Sequence, residues 1–116
     1  MGRNHGLGVV SGRWPVRRFV VVDDSMRPTL HPGDGLLSVR GGVPSVGQLR
    51  VFRDPWSSSR WLVKRVGAVA GRGGDATFEA RSDNPGAAGV VDSRDFGWVP
   101  AAGSYRVVWT VRAPRG

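Results

Sequence analysis

The segment "RWLVKRVGAV", residues 60–69, carries one lysine among apolar residues. It follows the loop-like "PWSSS" and is rich in β-branched and aromatic residues, which fits a pleated strand. As a strand it sets Leu62, Lys64 and Val66 on one face and Trp61, Val63 and Arg65 on the other. Lys64 is the only lysine in 116 residues, against sixteen arginines. The two cations differ in one useful respect. A guanidinium stays protonated at any working pH, whereas a desolvated ammonium can lose its proton and become a base. The aliphatic neighbours Leu62 and Val66 create the surroundings that favour that loss. A lysine snorkelling from a strand edge is the plainer alternative, and a second site has to decide between them.

Outward from this strand, the chain shows further short β-like runs divided by turn residues. They are "RRFVVVD" (17–23), "GLLSVR" (35–40), "QLRVFRD" (48–54), "ATFEARS" (76–82) and "YRVVWTVRA" (105–113). The last alternates, with Tyr105, Val107, Trp109 and Val111 expected on one face. No window of helical period survives its glycines and prolines. The regular spacing of strands and turns predicts an all-β fold, a small barrel or coiled antiparallel sheets. Residues 1–16, rich in glycine, read as a flexible tail, and residues 17–116 as one domain. The long stretch "SDNPGAAGVVDSRDFGWVP" (82–100) breaks the strand pattern, and a loop of that length in a compact domain is usually functional.

Composition removes several chemistries. No cysteine is present, so disulfides, thiolate metal sites and cysteine nucleophiles are excluded. The two histidines, His5 and His31, are too few for a histidine-built zinc site, and no cofactor or metal is expected. The net charge of +8 raises nucleic acid or an anionic membrane as partners. The arginines, however, are scattered singly or in pairs, without a DNA- or RNA-binding signature, so nucleic acid is not the expected partner. The apolar run "FVVV" (19–22) is far short of the roughly 20 residues that a spanning helix needs. A cytoplasmic location is the expectation; peripheral membrane contact through charge and the tryptophans Trp14, Trp56, Trp61 and Trp98 is the lower-ranked alternative.

A neutral lysine serves a nucleophile whose proton it can take. In "VVVDDSMRPTLHPGD", Ser25 directly follows a hydrophobic strand, at a change of direction enforced by Pro28 and Pro32. Such a turn exposes a side chain and leaves backbone N–H groups available, as acyl transfer requires. A turn or helix cap is the structural alternative for Ser25. The pairing with Lys64 favours chemistry.

Together these residues resemble the type I signal peptidase family of serine–lysine proteases and the related self-cleaving repressors. "SMRPTL" (25–30) is similar to the nucleophile box S-M-x-P-T-L, and "KRV" (64–66) to the box holding the general-base lysine. "SDN…DSRDFGWVP" (82–100) is similar to the third box, G-D-N…D-S-R-x-[FW]-G. The three stand in the family's order. The resemblance implies coiled antiparallel sheets and a Ser25/Lys64 dyad, a variant of the triad logic. It implies that the Ser25 N–H helps hold the oxyanion, with Asp23, Asp24 and Met26 close by. Asp83 and Asn84 of the third box and Pro28 of the first would be structural supports, and Asp92 and Arg94 an ion pair behind the lysine strand. Asp23 stands where the family places a serine or glycine. Val90 replaces a serine that orients the lysine, and Gly89 or Ser93 is expected to take that space.

The implied activity is a serine endopeptidase. It would remove a leader or signal-like segment from a precursor bound as an extended strand, cutting after small residues. Small relatives lacking an anchor resemble the proteases proposed to mature nickel-type superoxide dismutase. The competing readings are a membrane-docked signal peptidase and a binding module with a decayed active site.

Overall fold

The computed structural model describes residues 6–13 and 15–114; His5 and Trp14 lie outside them. Eight strands follow in order: β1 (Leu7–Arg13), β2 (Val16–Val21), β3 (Gly35–Arg40), β4 (Leu49–Asp54), β5 (Ser57–Ala70), β6 (Thr77–Arg81), β7 (Val99–Pro100) and β8 (Tyr105–Val111). One four-residue helix, α1 (Ser93–Phe96), lies between β6 and β7. The strands pair antiparallel in the order β1-β2-β3-β8-β4-β5-β6-β7, and a contact of Leu7 with Trp61 returns β1 to β5. Six strands thus close a barrel, from which β6 and β7 extend as a second sheet. The all-β expectation holds.

The fourteen residues of β5 explain why two sheets form instead of one. The strand is apolar on both faces, so each face needs its own cover. Trp61 and Val63 point into the barrel with Phe19, Val21, Leu36, Val51 and Tyr105. Leu62 and Val66 point the other way, into a second cluster with Phe52, Phe78, Ala80 and Val99. Lys64 lies between those two, on the face expected from the alternation. Met26 and Leu30, from the turn after β2, fill one end of the barrel core.

Three readings are corrected. The expected tail contains β1, which pairs with β2 from Leu7↔Val21 to Arg13↔Val16. Its glycines disguise it, since glycine is a poor strand former by itself; the partner strand supplies the order. At Gly6, φ is +85° and an added Cβ would lie 2.4 Å from the Trp61 carbonyl oxygen, so only glycine lets the chain enter β1 so close to β5. The alternation of β8 also breaks. Ser38 faces Val107 and Leu37 faces Trp109, so Val108 is an extra residue that reverses the faces beyond it. Trp109 and Val111 therefore point outward, 64 % and 59 % exposed, while Tyr105 stays in the core. Finally, Trp61 is buried in the barrel and cannot reach a membrane; Trp56 and Trp98 are exposed.

Candidate active site

Ser25 opens the turn that follows β2, and the turn is fixed at both ends. Leu30 N–H donates to Met26 O at 2.9 Å, closing one helical turn, and the Arg27–Pro28 peptide is cis. Met26, next to Ser25, is fully buried and packs its side chain into the barrel core, which holds the turn. Its Sδ accepts the Asp83 N–H at 3.4 Å. Asn84 N–H donates to Ser25 O at 2.8 Å, and the Asn84 side-chain amide donates to Asp24 O at 3.0 Å. Thr29 Oγ1 donates to Asp83 at 2.6 Å, and Arg65 grips the same carboxylate through Nε (2.9 Å) and Nη2 (2.7 Å). Two of the boxes are thereby clamped together by a residue adjacent to Lys64. Asp24 turns to the surface and pairs with Arg27, whose other nitrogen meets His31 Nδ1 at 2.9 Å.

Lys64 is 2 % exposed, and among the described residues no carboxylate lies within ion-pair distance of it. Burial pushes its pKa below the ordinary lysine range. The charges of Asp23 and Asp92 pull it part of the way back, and Arg60 pushes it down again. Asp23 connects the two halves of the site: Oδ1 accepts the Ser25 N–H at 3.1 Å, and its charge acts on Lys64. Its Oδ2 accepts the Gly6 N–H at 2.9 Å, which ties the start of β1 to the same place. The N–H expected to stabilise an oxyanion is thus engaged by a carboxylate. A cavity of about 10 Å³ beside the lysine is lined by Asp23, Arg60, Leu62, Lys64 and Gly89–Val91.

Gly89 and Val90 line the same small cavity as Lys64, whereas Ser93 is not among its lining residues. Its hydroxyl accepts the Ala80 N–H at 2.7 Å, which fixes α1 to β6. A different serine was missed. The β5–β6 ladder runs Val66↔Ala80 and Arg65↔Arg81, so one further step brings Ser82 opposite Lys64. Its Oγ is buried and has no hydrogen-bond partner among the described residues. The available signal was a serine where the third box has glycine.

Asp92 and Arg94 do pair, at 3.0 Å, although Arg94 is largely exposed. Asp92 does more than balance charge. It caps α1 in a reciprocal box with Asp95 and accepts the Ser82 N–H at 3.0 Å. Burial raises its pKa, but the hydrogen bonds from the Arg94 side chain, Ser82 N–H and Arg94 N–H outweigh that and bring it to about 2. Its stabilising contribution is therefore complete above the ordinary carboxylate pKa and is lost as the pH falls toward 2. Asp92→Ala removes the cap and strands the Ser82 N–H. A loss of roughly 2 kcal/mol is expected in urea unfolding at pH 7, shrinking in parallel measurements toward pH 2. A loss unchanged across that range would place the carboxylate's effect elsewhere.

A scan against protein-family profiles matches residues 7–73 to signal peptidase, peptidase S26. That is more than half of the chain. The chain belongs to the signal peptidase family. The match spans β1 to the tip of the β5–β6 hairpin and includes both Ser25 and Lys64; Asp83, Asn84, Asp92 and Arg94 lie beyond it. No curated protein and no solved structure matches the chain. Among the described residues, no helix is long and apolar enough to cross a membrane, and no cluster of His, Cys, Asp or Glu could hold a metal ion.

Proposed function

We propose that this signal peptidase relative is a serine endopeptidase with a Ser25/Lys64 dyad that removes a leader segment from a precursor protein. The observation that carries this reading is a buried lysine, its pKa lowered by desolvation, linked through Asp23 to the serine of the S-M-x-P-T-L turn. Ser25 Oγ attacks the scissile carbonyl while Lys64 Nζ takes its proton. The ammonium then protonates the departing amine, and water releases the acyl group by the same route. Ser82 stands opposite Lys64, and its hydroxyl has no hydrogen-bond partner among the described residues; turned toward Nζ during turnover, it takes the orienting role that Val90 cannot. On this reading Ser82→Ala lowers kcat and shifts the pH profile without changing KM. An unchanged profile would reduce Ser82 to packing.

The edge of β5 supports an extended substrate. On that side Trp61 meets β1 and the β6 ladder, continued by Ser82, reaches Lys64, so Leu62 and Val63 lie between the two ladders beside the lysine. A peptide strand laid there reaches the lysine. The precursor of a nickel-type superoxide dismutase is the first substrate to try. An acid quench during turnover of a leader peptide should trap an acyl group on Ser25, visible by intact mass and absent in Ser25→Ala. No adduct and no turnover with any leader peptide would overturn the proposal.

One observation favours a second reading, a binding module that has lost catalysis. The Ser25 N–H is held by Asp23, and a substrate oxygen must take that donor over. Asp23→Ser discriminates between the two, since a hydroxyl can donate where an ionised carboxylate cannot. An enzyme should retain or gain turnover with this substitution, whereas a decayed module stays inert.

A further inference from the structure

The barrel end opposite the nucleophile turn is built differently. On β2 the inward side chains run Arg17, Phe19, Val21; Arg53 follows Val51 by two on β4. On β3 they run Leu36, Ser38, Arg40, with Ser38 paired to Arg17. The period of two that points the core residues inward therefore also points three arginines at one mouth. The mouth is a cavity of about 430 Å³ walled by these arginines together with Trp61 and Tyr105.

Neutral partners, not carboxylates, meet the cations there among the described residues, and Arg53 Nη1 donates to Ser58 O at 2.8 Å. Arg17 Cζ lies 5.5 Å from the Trp61 ring centroid and 5.9 Å from that of Tyr105, and Arg53 Cζ lies 4.3 Å from Trp61. Arg17 Nε is buried without an acceptor among the described residues. Asp54 also lines the cavity, but its carboxylate is taken by Arg60 Nε (2.9 Å) and the Trp56 N–H (2.7 Å). Among the described residues, none of Arg17, Arg40 and Arg53 has a carboxylate within 4.0 Å. Like charges gathered on an aromatic floor repel, and ring contacts offset only part of that.

We propose that this mouth binds a phosphate monoester, at a site separate from the proteolytic centre. Three guanidinia present more donors and more charge than a carboxylate can match. A monoester supplies three terminal oxygens and close to two negative charges, in the geometry that guanidinium groups grip. The phosphate can come from a soluble ester or from a lipid headgroup. For the second source, exposed Trp56 and Trp98 flank the lining residues Pro55 and Val99.

Calorimetry of the full chain with inorganic phosphate should show saturable one-to-one binding, tighter than with acetate. Arg17→Gln and Arg53→Gln should each weaken it at least about tenfold. Arg72→Gln, in the remote β5–β6 turn, should not. Arg17 and Arg53 pack on Trp61, so circular dichroism must confirm those folds. Arg40→Gln alters an exposed side chain and carries the test if either fails to fold. No saturable phosphate binding, equal affinity for acetate, or equal weakening by Arg72→Gln would overturn the site. Phosphatidylcholine vesicles with and without phosphatidic acid distinguish the sources. Binding that requires phosphatidic acid, exceeds inorganic phosphate in affinity and falls with Arg40→Gln assigns the headgroup. Vesicle binding no tighter than inorganic phosphate assigns a soluble ester.

Discussion

Lys64→Arg should abolish leader-peptide cleavage, by at least about a thousandfold, while leaving the barrel folded. Arginine preserves the positive charge but cannot give up its proton at working pH. Because an added guanidinium can strain a buried slot, Lys64→Met provides the second variant, similar in length and unable to act as a base. Ser25→Ala should be equally inactive, since groups acting as one unit fail together. Wild-type activity should rise with pH, with its midpoint below the pKa of an ordinary lysine, because burial favours the neutral amine. The same shift makes a stability prediction. Between the depressed folded pKa and the higher unfolded one, the unfolded chain binds more protons, so stability rises with pH. At neutral pH, burying a group that is charged in the unfolded chain is a cost, and Lys64→Met should raise the melting temperature while removing activity. Near-normal turnover by Lys64→Arg, with circular dichroism confirming the fold, would sink the dyad.

Loosening the clamp on the nucleophile turn should have the next largest effect. Asp83 accepts two hydrogen bonds from Arg65 and one from Thr29, and these contacts lower its pKa, Arg65 contributing most. Asp83→Ala leaves a partly buried guanidinium and the Thr29 hydroxyl without that acceptor. The expected loss is roughly 2–3 kcal/mol of stability, below the range for fully buried pairs because Arg65 is partly exposed. The Ser25 turn rests on the same contacts, and a shift of about 1 Å in a nucleophile costs on the order of a hundredfold in kcat. Arg65→Ala should behave alike, and the double variant should lose little more than either single one. Additive losses would show that the two residues act independently. Urea unfolding and peptide turnover on the four-member cycle make the comparison.

The sequence was most informative where side-chain pattern and chemistry coincide. The alternation in residues 60–66 correctly set Lys64 between Leu62 and Val66. The S-M-x-P-T-L run and the S-D-N run were individually readable, and the structure shows them gripping each other through Asp83 and Asn84. The less legible parts depend on long-range pairing. Strand β1 is invisible in a glycine-rich segment until β2 lies beside it. The reversal at Val108 comes from its register against β3 and has no local marker, because every residue of β8 suits a strand. The four-residue helix after Asp92 is too short to show a period. Ser82 gained interest only when the β5–β6 register brought it toward Lys64. Arg50 is a similar case. It is fully buried, with neutral acceptors on Ser104, Gln48 and Gly41, and its pKa is lowered to about 10, by burial first and then by Arg106.

The length of β5 also has an architectural consequence. Beyond Lys64 the strand continues as an antiparallel ribbon with β6, from Arg65↔Arg81 to Ala70↔Thr77, and turns at Gly73–Asp75. At Gly73 and Gly74 an added side chain would meet no atom within 4 Å. Several ladder rungs separate that open tip from the lysine, so the tip is a natural graft point, where chain can be spliced in without altering the register that brings Lys64 and Ser82 together. A fluorescent or affinity module inserted between Gly73 and Gly74 would then ride on the ribbon like a pennant on its staff. The barrel and its dyad would form a transplantable cassette, with accessory modules exchanged at the tip.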